Sequence, residues 1–179
     1  MKKGFRVLLM IGLVSSVAFT ACEKEEEDPT PTQTDTSAVL VEKTGGIIYN
    51  LQGPNLGAWD LVNDAAVGAA GSATIKDLID MSSVDSTGVV FPKKWTTSTG
   101  TTFVKADASF DYANVTENKA HAAFDAGTSA SSTGVLAAGD IYIAHNDTRF
   151  EHGVTVIKIV AVNETTNNNL DNITFVYKK

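Results

Sequence analysis

Two histidines on either side of a short polar segment are the residues of this sequence best suited to bind a metal ion or a haem iron. His145 and His152 flank residues 146–151, and the stretches before and after them have the composition of strands. If these strands pair as a hairpin, the two imidazoles come close together, with Asp147 and Glu151 in the same loop. Imidazole nitrogens are common ligands of transition metals and of haem iron. The alternative is a hairpin loop that is simply polar, because two histidines without further ligands do not define a site.

Trp95 is the second residue that could contact a ligand. It follows two lysines and precedes threonines and a serine at 96–99, so its sequence neighbours are polar. An exposed indole in such surroundings could stack on a sugar ring. The alternative is that Trp95 packs in the core or at its edge, as single tryptophans usually do. Trp59 shares a predicted strand face with Leu61, which assigns it to the core.

No local motif of a catalytic site is present. The sequence lacks a GxSxG nucleophile elbow, an HExxH motif, a P-loop and a dinucleotide fingerprint, and its domain has no cysteine. Several aspartates could be paired into a glycosidase geometry, but the separation of two carboxyl groups is a property of the fold, and aspartate in turns is the simpler explanation. We therefore predict that the protein is not an enzyme. The aspartates in question are Asp60, Asp64, Asp77, Asp80, Asp107 and Asp111.

The net charge of -7 argues against a nucleic-acid partner. Within residues 38–179, neighbouring lysines occur only at Lys93-Lys94 and Lys178-Lys179. A protein that binds nucleic acid needs a basic surface to displace counterions from the phosphates. That class of function is excluded.

Residues 1–21 have the three-part order of an export signal. Lys2, Lys3 and Arg6 form a basic start, residues 7–19 are mainly apolar, and small residues stand directly before Cys22. The apolar stretch is shorter than the roughly 20 residues that a membrane-spanning helix needs. A signal peptide is predicted, and a membrane anchor helix is the alternative.

The end of this signal, Phe19-Thr20-Ala21-Cys22, resembles the lipobox of bacterial lipoproteins, with Phe19 where the consensus prefers leucine. The resemblance implies that a diacylglycerol alkylates the Cys22 thiol, that residues 1–21 are removed, and that the new amino group receives a further acyl chain such as palmitate. Cys22 is the only cysteine, so it has no disulfide partner within the chain. Several acyl chains would give stable membrane attachment. The alternative is an ordinary secretory cleavage site beside a chance cysteine.

Residues 22–37 form an acidic and Pro/Thr-rich tether after the lipidated cysteine. Lys24, Glu25, Glu26 and Glu27 resemble the lipoprotein export signal of the Bacteroidota, in which a lysine and two or more acids follow the cysteine. The resemblance implies an outer-membrane lipoprotein exposed at the cell surface. Otherwise the segment is a solvated spacer at the periplasmic face.

Two further resemblances point to the same group of bacteria. Asp85-Ser86-Thr87 is similar to the Bacteroidota O-glycosylation triplet, which implies a glycan on Ser86. The runs 139–143, 157–159 and 175–179 look like those of small surface lipoproteins of the Bacteroidota.

Residues 38–179 are predicted to form a single β-rich domain. Residues 154–162 are apolar almost throughout, which is typical of a central strand covered on both faces, and the polar loop 165–171 would join this strand to the next one in a hairpin. Thr116 can cap a short helix that ends near Gly127, with Ala120, Ala123 and Phe124 as its apolar stripe. The fold class is an antiparallel β-sandwich or partly closed barrel with one short helix. Strands are predicted at 47–51, 58–62, 75–81, 101–104, 110–112, 140–144, 154–162 and 173–177. For 75–81 a helix is the alternative, because Ile75, Leu78 and Ile79 fit one helix face.

Taken together, these features predict a lipid-anchored accessory or binding module at the cell surface, without catalytic activity, that recognises a glycan or a protein. Its membrane contact is the acyl anchor at Cys22. The alternative function is capture of haem or a metal ion by His145 and His152, and no other cofactor is predicted.

Overall fold

The computed structural model describes residues 35–166 and 168–179. The predicted signal peptide, the lipidation site Cys22 and the export signal at Lys24, Glu25, Glu26 and Glu27 lie outside the described residues.

The described chain is mainly β, with several antiparallel sheets and one α-helix, as the sequence predicts. Its sheets do not close into a barrel, so the sandwich is the form that the fold takes. A short 3₁₀ turn covers Ala73–Ile75. The strands are β1 (Glu42–Tyr49), β2 (Ala58–Asp60), β3 (Ala65–Val67), β4 (Leu78–Asp80), β5 (Ser83–Asp85), β6 (Gly88–Val90), β7 (Trp95–Thr96), β8 (Thr102–Lys105), β9 (Ile141–His145), β10 (Val154–Asn163) and β11 (Asn172–Lys178), and the helix α1 is Glu117–Asp125.

The larger sheet has five strands in the order β1-β11-β10-β9-β8, so β10 is central, as predicted. Its first residues are buried on both faces, because alternate side chains enter two different hydrophobic clusters. Ile157 and Ile159 face the smaller sheet, whereas Val154 and Val156 face the helix side. The predicted hairpin between the last two strands is confirmed, with the pair Asn163 and Asn172 next to its loop.

The smaller sheet has four strands in the order β3-β2-β4-β7 and packs over the inner face of the larger one. Phe175 joins the two layers, since its ring lies edge-on to the indoles of Trp59 and Trp95, at centroid distances of 5.5 and 5.2 Å. Gly46 makes this approach possible. A Cβ added there would lie 2.6 Å from the Trp59 ring, so a larger residue would push the layers apart.

The helix α1 forms as the sequence predicts. The Thr116 hydroxyl accepts a hydrogen bond from the backbone N–H of Lys119, which caps the first turn. Ala120 is buried, and Ala123 and Phe124 pack against the cluster on the outer face of the larger sheet. Gly127 follows the helix because a Cβ at that position would overlap the Val104 side chain.

Two predictions about strands are corrected by the structure. Residues 110–112 are irregular and lie between two turns, because the carboxylates of Asp107 and Asp111 accept backbone N–H groups two residues ahead and so replace a strand ladder. The predicted strand 75–81 is β only at Leu78–Asp80, and its first residue belongs to the 3₁₀ turn. Ser86 lies in the exposed turn between β5 and β6, where its hydroxyl is accessible.

Candidate functional site

The loop between β9 and β10 is closed by hydrogen bonds, with His145 as the last residue of β9 and His152 inside the loop, two residues before β10 begins. His145 pairs with Val154 in the ladder, and the backbone N–H of Asn146 donates to the Gly153 carbonyl at 2.8 Å. Inside the loop, the N–H of Phe150 donates to the Asn146 carbonyl at 3.0 Å. The loop 146–153 therefore has its own hydrogen-bonded frame.

The Asn146 side chain fixes this loop to the neighbouring segment. It is buried, and its amide nitrogen donates to the Thr99 carbonyl at 3.1 Å. Its amide oxygen accepts from the Thr148 hydroxyl at 2.8 Å. Phe150 adds an apolar anchor, since its ring is almost fully buried in the core between the sheets.

Arg149 ties the loop to the smaller sheet through two buried aspartates. Its Nε donates to Asp77 Oδ1 at 2.8 Å, and its Nη2 lies 3.3 Å from Asp60 Oδ1. Its Nη1 donates to the Thr74 carbonyl at 2.6 Å. The Asp60 and Asp77 side chains are only 2% and 0% exposed. The fold thus brings two of the candidate aspartates together, but it places a guanidinium between them.

The remaining acceptor capacity of these two carboxylates is used by the backbone. Asp77 Oδ2 accepts the N–H of Leu61 at 3.0 Å, and Asp60 Oδ1 accepts the N–H of Val62 at 2.9 Å. Carboxylates held in this way by donors act as structural anchors of the segment after β2. A glycosidase needs one carboxyl group free to protonate the leaving oxygen.

The other candidate aspartates are also engaged. Asp64 accepts from Lys179 and from the Tyr177 hydroxyl. Burial acts to raise the pKa of Asp64, but these two donors outweigh it and hold the pKa below its usual value. Asp107 and Asp111 cap turns on the surface, where hydrogen bonds from Ser109 and Asn114 lower their pKa values.

A cavity of about 210 Å³ opens between the loop 146–153, the segment after β2 and the end of β11. Its walls are mainly apolar, and Leu61 and Phe150 contribute buried side chains to them. Val62 is 40% exposed and belongs to the same lining. We call this space the loop cavity. Its lining residues are Leu61, Val62, Arg149, Phe150, Glu151, His152, Thr155 and Lys179.

Thr155 lines the loop cavity and carries a buried hydroxyl without a hydrogen-bond partner in the described chain. It lies on β10, is fully buried, and alternates with Ile157 and Ile159 on the inner face of the sheet. Its Oγ1 makes no hydrogen bond to any residue that the structure describes. A buried hydroxyl without a partner costs roughly 1–3 kcal/mol of stability. The signal for this residue in the sequence is a threonine at a core-facing position of an otherwise apolar run, which belongs to no functional motif.

The two histidines contact different carboxylates. His145 Nε2 lies 3.1 Å from Asp147 Oδ1, and its ring stacks on Phe124. His152 Nδ1 lies 3.3 Å from Glu117 Oε2 on the helix. Across residues 35–166 and 168–179, no three or more His, Cys, Asp and Glu side chains form a group that could hold a metal ion.

His121 is the histidine that the loop pattern did not include. Its Nε2 lies 2.9 Å from the His152 carbonyl oxygen, and its ring centroid is 5.9 Å from that of His145. The contact joins α1 to the loop 146–153. Its position beside the apolar stripe of the helix is the only sequence feature that places it near the sheet.

Trp95 is buried, so of its two interpretations core packing is confirmed and contact with a ligand is corrected. Its side chain has no exposed surface. The neighbouring polar residues take part in the pairing of β7 with β4, and the Thr133 hydroxyl accepts a hydrogen bond from the backbone N–H of Trp95 at 2.9 Å. No face of the indole is free to stack on a sugar. Trp59 is half-buried and packs against the same core.

The large exposed apolar side chains of the described residues are all aliphatic or methionine, and none is aromatic. They are scattered over several elements, with Val62 beside the loop cavity and Val84 and Val89 on the β5–β6 hairpin. The complete set is Val39, Val41, Ile47, Leu56, Val62, Met81, Val84, Val89, Val90, Val135, Val160 and Leu170.

Comparisons of the chain with protein-family models, with curated proteins and with solved structures gave no match. In the part of the chain that the structure describes, no helix has the length and apolar character that a membrane crossing requires.

The arrangement at the loop cavity is suited to binding. An activated hydroxyl nucleophile requires a base in hydrogen-bond contact, and Thr155 Oγ1 has no such partner among the described residues. The site is a small, mainly apolar cavity whose wall holds the buried hydroxyl of Thr155, which is unpaired in the described part of the chain, and its loop is fixed through Asn146, Arg149 and Phe150.

Proposed function

We propose that the protein is a lipid-anchored binding module of the cell surface, without catalytic activity, that recognises its partner at the end of the sandwich around the loop cavity. The observation that carries the proposal is the loop cavity itself, in which buried Thr155 has an unpaired hydroxyl. Binding sites are typically apolar concavities with a few fixed polar groups on a rigid frame.

A protein is the better-supported class of partner, and a glycan is the alternative. Sugar-binding surfaces rely on flat aromatic faces, and Trp95 offers none because it is fully buried. The accessible apolar surface beside the loop cavity is the aliphatic side chain of Val62. Aliphatic surface next to a pocket suits contact with another polypeptide.

Site-specific photo-cross-linking on intact cells tests this surface. A photoreactive amino acid replaces Glu151, an exposed lining residue of the loop cavity, and in a matched variant it replaces Asp107, an exposed acidic residue in a turn on another surface. We expect a discrete adduct from position 151 and none from position 107. Adducts of the same kind from both positions, or none from 151, contradict the proposal.

The anchor belongs to the same proposal and has its own test. We expect labelled palmitate to enter the wild-type chain and not the Cys22→Ala variant. Equal labelling of both chains would contradict lipidation at Cys22. Protease treatment of intact cells then tests whether the domain is exposed at the cell surface. If Lys24, Glu25, Glu26 and Glu27 direct it there, replacement of these four residues by alanine should protect the domain from the protease.

Haem or metal capture through His145 and His152 is the alternative function. The approach of the His121 ring to His145 gathers all three histidines of the chain around one loop, which is the observation in its favour. Haem added to the purified protein would then give a Soret band that weakens in His145→Ala or His152→Ala. An unchanged haem spectrum on mixing speaks against this alternative.

A further inference from the structure

The charges around the loop cavity disfavour an anionic ligand. Arg149 is shared by the buried carboxylates of Asp60 and Asp77, and the Lys179 ammonium is paired with Asp64. The exposed carboxylate of Glu151 adds negative charge, and Glu117 stands beside His152. Carboxylates thus outnumber the two cations, and both cations already have acidic partners.

The size and walls of the loop cavity select a compact apolar group. Engineered cavities of about 150 Å³ that are lined by apolar side chains bind benzene. The loop cavity has a volume of about 210 Å³, and Leu61, Val62 and Phe150 contribute apolar surface to it. A six-membered ring with one or two substituents is of suitable size, whereas drug-sized ligands usually occupy at least 300 Å³.

The Thr155 hydroxyl determines which substituent is favoured. Its Oγ1 has neither a donor nor an acceptor among the residues that the structure describes. A ligand hydroxyl can donate to it or accept from it, whereas a carbonyl can only accept. A ligand hydroxyl therefore satisfies Thr155 in either orientation of the bond.

We infer that the loop cavity binds a compact, uncharged and mainly apolar group that carries one hydroxyl, the chemistry of a phenol. This inference rests on the proposed function, because it assigns a ligand class to the same surface. The phenol can be a free small molecule or the side chain of a tyrosine in a partner protein, and the experiment separates these two sources.

The test compares p-cresol with toluene, which has nearly the same shape and no hydroxyl. Both ligands are titrated into the ¹⁵N-labelled chain from residue 22 onward, with Cys22→Ser so that no acyl chain or detergent is present. We expect p-cresol to bind about three- to tenfold more tightly than toluene, which corresponds to one net hydrogen bond. Amide shifts should be largest in the loop 146–153.

Variants assign this preference to Thr155. Thr155→Val keeps the shape of the side chain and removes the hydroxyl, so the preference for p-cresol should fall to about onefold while toluene still binds. Thr174→Val on β11, which does not line the loop cavity, should retain the wild-type preference. Val62→Trp should abolish binding of both ligands by filling the cavity entrance. Absence of binding to the wild-type chain, or an unchanged preference in Thr155→Val, overturns the inference.

Capped peptides with one tyrosine or one phenylalanine distinguish the sources. Tighter binding of the tyrosine peptide than of p-cresol identifies a protein side chain, and binding of p-cresol alone identifies a free phenol. A cross-linked partner at position 151 without p-cresol binding overturns only the ligand class. Binding of p-cresol without a cross-linked partner overturns only the proposal of a protein partner.

Discussion

Each end of the β2–β4 ladder buries two carboxylates, and the two ends neutralise them differently. At one end Asp60 and Asp77 share the guanidinium of Arg149. At the other end, among the residues that the structure describes, Asp80 and Asp171 have no cationic partner and rely on neutral donors. Asn50 donates its amide to Asp171 Oδ2 at 3.0 Å. We call these the Arg149 end and the Asn50 end.

The two carboxylates of the Asn50 end respond to their surroundings in opposite directions. Burial raises the pKa of Asp80, and the nearby charge of Asp171 adds to this effect, although Ser82 and Leu51 donate hydrogen bonds to the carboxylate. For Asp171, burial acts in the same raising sense, but hydrogen bonds from Thr165 and Asn50 outweigh it and lower its pKa. At the Arg149 end, the ion pairs of Arg149 fix the loop 146–153 in place. At the Asn50 end, the neutral donors do not offset burial at Asp80, so its pKa stays raised.

The Arg149 end is better suited to carry a binding site, because its loop is held in place. Arg149 and Asn146 fix the loop beside the loop cavity, so that its walls are held in place. At the Asn50 end, most of the described residues of the loop 164–171 are exposed, and the ion pair between Glu164 and Lys93 lies at the surface. We expect recognition at the Arg149 end.

The largest effect should come from Arg149→Met, which keeps the apolar stem and removes the charge. Asp60 and Asp77 would then be buried without a cation, so the free energy of unfolding should fall by about 3–5 kcal/mol. Lys93→Met at the exposed pair with Glu164 is the matched control and should lose less than about 1 kcal/mol. Urea titrations measure both. Equal losses would mean that burial of the carboxylates does not distinguish the two ends.

Asn146→Ala should have the next largest effect. The substitution removes a buried amide that bonds to Thr99 and Thr148, so we expect a loss of about 1–3 kcal/mol. Asn168→Ala in the exposed loop 164–171 should lose about 0.5 kcal/mol or less. Chemical denaturation of the two variants compares the loops directly, and a larger loss for Asn168→Ala would reverse our assignment of the rigid loop.

Thr155→Val should stabilise the protein. The variant removes a buried hydroxyl that has no partner and keeps its volume, so the free energy of unfolding should rise by about 1 kcal/mol. Thr133→Val is the control with the opposite sign, because the Thr133 hydroxyl accepts the buried backbone N–H of Trp95 and its loss should destabilise the protein. Destabilisation by Thr155→Val would show that the hydroxyl has a partner in the free protein.

The Asn50 end should produce a pH dependence whose sign differs between its two acids. Because the pKa of folded Asp80 is above its ordinary value of 3.8, its contribution to stability is complete below that pH and is lost as the pH rises through the folded pKa. Asp80→Asn should therefore gain stability relative to wild type between pH 3 and pH 7.

Asp171→Asn is the matched test of that sign. The pKa of folded Asp171 is lowered, so its contribution is present above the ordinary value and is lost as the pH falls. This variant should be less stable than wild type at pH 7, and the difference should shrink towards pH 3. Parallel pH profiles of the two variants would contradict the opposite environments of the two acids.

The parts of the fold that the sequence predicts are those with long and regular patterns. The apolar run of β10, the polar hairpin loop after it and the cap of α1 at Thr116 are strong local signals, and the structure confirms them. Strands such as β3 and β7 have two or three residues, which are too few to show a period, so they depend on tertiary pairing.

The candidate site was only partly predictable. The pairing of β9 with β10 as a hairpin after His145 follows from strand composition and is confirmed, whereas His152 lies within the loop. The loop cavity could not be predicted, because Leu61, Thr155 and Lys179 are far apart in the sequence and meet only through sheet packing. Trp95 was hard to place for a related reason, since its polar neighbours are paired with other strands while its ring enters the core.

A photo-cross-linking comparison of the two ends on intact cells tests the central claim most directly. Photoreactive residues at Val62 and Glu151 sample the Arg149 end, and residues at Val84 and Thr166 sample exposed positions of the β5–β6 hairpin and of the loop 164–171. We expect positions 62 and 151 to capture the same partner protein and positions 84 and 166 to capture none. Capture of that partner only from positions 84 and 166 would contradict the assignment of the recognition surface to the loop cavity.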